Sequence, residues 1–176
     1  MGNLRSPTGV STGTKAGLVG SVLTALALAV ATIAPWEGKR NEPYRDPIGI
    51  LTVCYGETRA EMRRYSDAEC LEMLEEASAE FLEGVRRRNP AIVHHPYQWA
   101  AHTSFAYNVG IGTYSRSSVA RLFEEGRQVE ACRFLGRYVY AGGSKLRGLE
   151  RRRAAESRAE RRRVARPTMS RRCKRV

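Results

Sequence analysis

The 21 residues from Ala16 to Trp36 carry no charge, and a glutamate follows at once. A stretch of that length and composition has to leave water, either into a bilayer or against a core. As one helix it reaches about 30 Å, the thickness of a bilayer's hydrocarbon interior. Arg5 and Lys15 precede it, and the first acid in the chain is Glu37. The positive-inside tendency keeps the N-terminus in the cytoplasm and sends the remainder outside. Alanine, glycine, serine and threonine make up much of the stretch. It therefore holds in lipid less firmly than a leucine-rich span.

Beyond it stand Glu37, Asp46 and Thr52, in the spacing Glu-x8-Asp-x5-Thr. Hydrolysis of an acetal needs a proton on the leaving oxygen and a water aimed at the anomeric carbon. Two carboxyl groups in unlike surroundings and a hydroxyl are the smallest set that does this. Glu37 follows Trp36 and the apolar run, a setting for burial that disfavours the charged form. Asp46 lies in a Tyr-Arg-Asp-Pro turn beside Arg45, which favours the anion. Thr52 can hold a water together with Asp46. By spacing alone, Glu37 and Asp46 could equally be surface carboxylates beside Lys39, Arg40 and Arg45. Glu42 and Glu57 match no role and are assigned to solvent.

The segment Trp36 to Thr58 decides between these readings. It resembles the phage-type lysozymes, or endolysins, of glycoside hydrolase family 24, through Glu37, Gly38, Tyr44, Asp46, Gly49, Thr52, Cys54 and Gly56. The likeness continues in Ser104–Gly112, in Tyr140–Leu149 and in Arg152-Arg153-x2-Glu156. It implies an α+β, lysozyme-like fold: a small β-rich lobe, a larger helical lobe and a cleft between them, after an N-terminal hydrophobic helix. It also implies an inverting muramidase that cuts the β-1,4 bond between N-acetylmuramic acid and N-acetylglucosamine. Glu37 would be the general acid, with Asp46 and Thr52 positioning and activating water. An arginine, either Arg152 or Arg153, would reach Glu37, and Asn108 and Tyr114 would lie near the cleft.

The uncharged stretch resembles the signal-arrest-release segment of one endolysin branch. That likeness implies an enzyme tethered silent in the host inner membrane, facing the periplasm, and later released into the periplasm. Peptidoglycan is then the substrate, the inner membrane a partner, a holin a functional link, and the enzyme a monomer. The alternative is a cleavable secretion signal with Ala29-Val-Ala31 as its site, giving a mature chain from Thr32. The implied division is residues 1–15 cytoplasmic and disordered, 16–36 signal-anchor, 37–156 catalytic and 157–176 an arginine-rich tail.

The formal charge of +12 belongs to the end of the chain: Lys145 to Val176 holds 14 basic residues against 3 acidic. The tail reads as a solvated extension, or as one attracted to anionic lipid or lipopolysaccharide. A membrane-anchored nucleic-acid binder is disfavoured, because aromatics do not interleave the arginines and the tail faces away from the cytoplasm. A lytic transglycosylase is disfavoured because it needs no Asp46 or Thr52. No cofactor or metal is expected, since His94, His95 and His102 lack ligand company. Four cysteines allow three pairings; Cys54 reads as a packing residue, with a disulfide as the alternative.

Local signals place the helices. Ser66-Asp-Ala-Glu69 is a capping box, and the apolar spacing behind it predicts a helix ending before Asn89-Pro90. Pro96 opens a second helix, through Trp99, Phe105 and Tyr107, that stops near Gly110. Two more are expected over Ser117–Glu125 and Gln128–Tyr138, and a last one from about Ser144. Short strands are expected within Tyr44–Thr58.

Overall fold

The computed structural model describes residues 12–46 and 49–161. The outer parts of the expected N-terminal segment and arginine-rich tail, with Cys173, lie outside the described residues. Helix α1 spans Thr12–Glu37, so it begins inside the segment expected to be disordered, and Glu37 is its last residue. Pro35 removes a backbone donor near that end, and Gly38, at φ 62°, turns the chain out of the helix.

One face of α1 is core. Ala25, Ala29 and Ile33, one turn apart, are fully buried and seat α1 against helix α3, Pro96–Val109. The small side chains of Ala25 and Ala29 let the two helices approach closely. Leu18, Val19 and Leu23 remain exposed. The hydroxyls of Thr24 and Thr32 donate to carbonyls four residues back, at 2.8 and 2.7 Å. The helix therefore satisfies these polar groups internally, as a bilayer would also demand.

From Gly38 the chain passes directly into an antiparallel hairpin, β1 (Arg40–Arg45) and β2 (Leu51–Cys54), with Tyr44 opposite Thr52. The hairpin's open end, where Cys54 faces Arg40, is tied to helix α2, Asp67–Arg88, by a Cys54–Cys70 disulfide with Cα atoms 5.0 Å apart. Cys54 is thus a disulfide partner and not a packing residue. The fold brings β2 to the first turn of α2, a proximity that a sequence separation of 16 conceals. The capping box opens α2 as read: Glu69 N–H donates to Ser66 Oγ, and Ser66 N–H donates to the Glu69 carboxylate.

Helix α3 is the axis of the helical lobe. Gln98 to Ala106 are buried without interruption, as expected of a helix surrounded by others. Trp99 and Phe105 are core residues. A short helix α4, Ile111–Arg116, was not foreseen. Gly110, at φ 83°, restarts the chain there. Gly84 of α2 admits Ile111 so closely that a Cβ would stand 2.8 Å from its side chain. Tyr114, expected near the cleft, is fully buried, donating to Asn89 Oδ1 at 2.8 Å and meeting His102 Nδ1 at 2.9 Å.

Helices α5 (Ser118–Glu124) and α6 (Gln128–Leu135) follow, the second stopping three residues short of expectation at Gly136. The last helix does not begin at Ser144. Gly142 and Gly143, both with positive φ, turn a small hairpin, β3 (Tyr140–Ala141) and β4 (Ser144–Lys145), and α7 then runs from Arg147 to Arg161. It enters the stretch expected to be solvated, because Glu160 is buried with its carboxylate 3.6 Å from His102 Nε2. The α+β expectation stands: one small hairpin lobe against a helical body.

Candidate active site

Glu37 stands where the helical body meets the hairpin. Its side chain is 22 % exposed, less buried than the sequence suggested, and Arg152 Nη1 donates to Oε1 at 2.7 Å. This settles which arginine reaches the acid. Arg152 and Arg153 are adjacent on α7 and so point about 100° apart around it; Arg152 faces α1. Glu37 Oε2 accepts no hydrogen bond from the described residues.

Behind the ion pair lies a buried charge network. Arg152 Nη2 donates to the Ser104 carbonyl at 3.2 Å, and its Nε lies 3.4 Å from Glu156 Oε1. Arg153 Nη1 donates to Glu156 Oε2 at 2.7 Å, its Nη2 donates to Asn108 Oδ1, and its guanidinium sits 4.9 Å from the Phe105 ring centre. Ser104 Oγ donates to Glu156 Oε1 at 2.8 Å. Burial pushes the Glu156 carboxyl up, against the pull of Arg153, Ser104 and Arg152. With Glu37 the cluster counts two cations and two anions, the balance that desolvated charges require.

Tyr107 belongs to the same neighbourhood. Its phenol is pushed up to about 12 by burial, with the charges of Glu37 and Glu57 adding. Glu57, assigned to solvent from the sequence, has a side chain only 16 % exposed. Burial works to raise its carboxyl, but the backbone N–H groups of Arg59 and Thr58 and the Arg59 guanidinium hold it below the usual range. A carboxylate folded back onto its own turn in this way carries no sequence signature.

Asp46 and Thr52 are held by the hairpin and meet through one residue. Asp46 Oδ1 accepts the N–H of Ile50 at 2.8 Å, while the buried Thr52 Oγ1 donates to the Ile50 carbonyl at 3.0 Å. The turn between them closes by Gly49 N–H to Asp46 O and Asp46 N–H to Ile50 O, both 2.9 Å. Gly49 adopts φ 87°, which suits glycine. Sequence reasoning missed Ser104, Tyr107 and Glu156 as neighbours of the acid. Their only trace was membership in the downstream blocks.

The fold is lysozyme-like, with Glu37 closing a helix, braced by buried Arg152 and followed at once by a carboxylate-bearing hairpin. The solved structures agree. The muramidase domain of SpmX from Asticaccaulis excentricus superposes with a TM-score of 0.66 at 28% identity, covering 75% of this chain and 93% of that one. The active form of the P1 phage endolysin Lyz shares the fold, at TM-score 0.67 and 22% identity over 81% of this chain and 92% of that one. The Phage lysozyme family matches residues 34–156, and the chain belongs to that family. Its relatives include the SAR-endolysins of Bacteriophage PS119 and of Escherichia phage Mu. The first is 39% identical over 68% of this chain and 73% of its own; the second is 38% identical over 65% and 67%. The protein is an endolysin, a lysozyme-type glycosidase acting on peptidoglycan.

Proposed function

We propose that Glu37 donates the proton to the leaving oxygen of the β-1,4 bond between N-acetylmuramic acid and N-acetylglucosamine. Asp46 and Thr52 hold and activate the water that attacks from the opposite side, with inversion at the anomeric carbon. The glycan lies in a cleft between hairpin and helical body. The observation that carries this reading is the single-point Glu37–Arg152 pair, which orients the acid and leaves its second oxygen without a hydrogen bond from the described residues. The test compares wild type with Glu37→Gln on purified Gram-negative sacculi. The expected loss in clearing rate is about 10²–10⁴-fold, the range for a general acid. Normal clearing by the mutant removes Glu37 from the role. Anhydro-sugar ends among the products would point instead to a transglycosylase.

Residues 16–36 act as a signal-anchor that later becomes part of the enzyme. Residues 1–15 start in the cytoplasm, 37–156 form the catalytic domain in the periplasm, and 157–176 form the basic tail. The stretch from Ala16 to Glu37 is long and apolar enough to span a bilayer, yet Ala25, Ala29 and Ile33 are core. It cannot be in both places. While it spans, Glu37 waits at the membrane surface without Arg152. Leaving the bilayer and assembling the site are then one event, with a holin as functional link and a monomer as product. Cleavage after Ala31 would strip Ala25, Ala29 and Val30 from the core, which favours release of the intact chain. An enzyme equally active before and after membrane extraction, or a mature N-terminus at Thr32, would overturn this.

A further inference from the structure

We infer that Glu156 is a positioning residue for the acid: acting through Arg152, it restricts Glu37 to a one-oxygen grip and leaves the other oxygen for the glycan. The inference rests on the reading of Glu37 as proton donor.

An unrestrained arginine meets a carboxylate with two parallel N–H···O bonds, using both oxygens. Here it does not. The Nε edge of Arg152 is taken by Glu156 Oε1 at 3.4 Å, and Nη2 by the Ser104 carbonyl at 3.2 Å. Of its three nitrogens, Nη1 is the one that bonds to Glu37. Ser104 acts twice, since its hydroxyl also fixes Glu156 Oε1 at 2.8 Å. The second Glu156 oxygen holds Arg153 at 2.7 Å, turned toward Asn108 and the Phe105 face.

Glu156 thereby also limits the positive charge felt at Glu37. Around the acid stand Arg152 of α7 and Tyr107 of α3, with Glu57 of the hairpin side beyond. Around Glu156 stand Ser104 of α3 and Arg152 and Arg153 of its own helix. Without Glu156, Arg152 is free to pivot into a two-oxygen grip, and both arginines lose their buried counter-charge. A doubly held, more strongly cation-bound carboxylate gives up its proton to water more readily, so less of it is protonated and able to act as general acid at working pH.

The test uses the full chain and measures kcat, KM and the pH profile on solubilised peptidoglycan fragments, with thermal melting alongside. For Glu156→Gln we expect kcat to fall about tenfold or more, as for a misaligned acid, with KM unchanged. The alkaline limb of the kcat profile should move to lower pH, which a structural role would not produce. If that variant does not fold, Arg153→Met/Glu156→Gln removes one cation and one anion together and decides in the same way. Ser104→Ala, which deletes a single hydroxyl, should move kcat and the profile in the same direction but less. Folded variants with wild-type kcat and profile overturn the inference, as does a Ser104→Ala enzyme indistinguishable from wild type when the other two fail to fold. Failure of the underlying reading looks different: Glu37→Gln itself remains active.

Discussion

The two halves of the site are built in different ways. Glu37 is held from 115 positions away along the chain, by a guanidinium that is itself held by α3 and α7. Asp46 and Thr52 are held within their own hairpin, through bonds spanning two to four residues. The acid thus depends on the whole helical body being assembled, whereas the proposed water-holding pair needs only a correctly formed turn. An enzyme built this way can be silenced by displacing one helix while the hairpin stays intact.

Breaking each half separately tests the contrast. Arg152→Leu should have the largest effect, about 3–5 kcal/mol of stability, because it breaks a buried charge network and leaves Arg153 as the one cation for Glu156 and Glu37; denaturant titration measures it, and activity should vanish with it. Reducing Cys54–Cys70, which closes a sixteen-residue separation, should cost about 3 kcal/mol. That loss should appear as hydrogen exchange in the hairpin before exchange in α3. Asp46→Asn should lower kcat about 100-fold, some 2.7 kcal/mol of barrier, while the melting temperature stays within a degree or two of wild type. A large drop in stability there would mean that the hairpin half also depends on remote structure.

The smallest effects lie remote from both halves, at the capping box. Ser66→Ala should cost about 1 kcal/mol and leave kcat alone. Glu69 titrates at about 2 in the folded chain, below its usual 4.5, chiefly because it accepts the Ser66 N–H, with the Arg63 bond adding. A carboxyl lowered on folding stabilises above the unfolded value. Its contribution should therefore be full above about pH 4.5 and fade as pH falls toward 2. An acid titration of wild type against Glu69→Gln by circular dichroism would detect it, and an identical pH dependence in the two would remove the effect.

What could be read without coordinates followed from short-range physics. The α2 cap, Pro96 at the start of α3 and the stop at Gly110 are each decided by a few neighbouring atoms. The fold class was legible because motif spacing is a property of the chain itself. Misreadings arose where the outcome depended on what lay opposite. Gly142-Gly143 suits a helix boundary and a hairpin turn alike, and only the pairing of Tyr140 with Lys145 chose the hairpin. Tyr114 could have lined a cleft, but Asn89 and His102 claimed its hydroxyl in the core.

Composition and order along the chain determined by themselves that residues 16–36 must avoid water and that an acid must follow them. Which apolar surroundings that stretch takes was left open, since a bilayer and a packed α3 satisfy the same requirement. Tertiary structure decided in favour of α3, and with it the meeting of Glu37 with Arg152 and the burial of Glu156 between two arginines. The physical reason is that desolvated charges are tolerated only as a balanced set, and the members of this set come together only once α1, α3 and α7 have closed on one another.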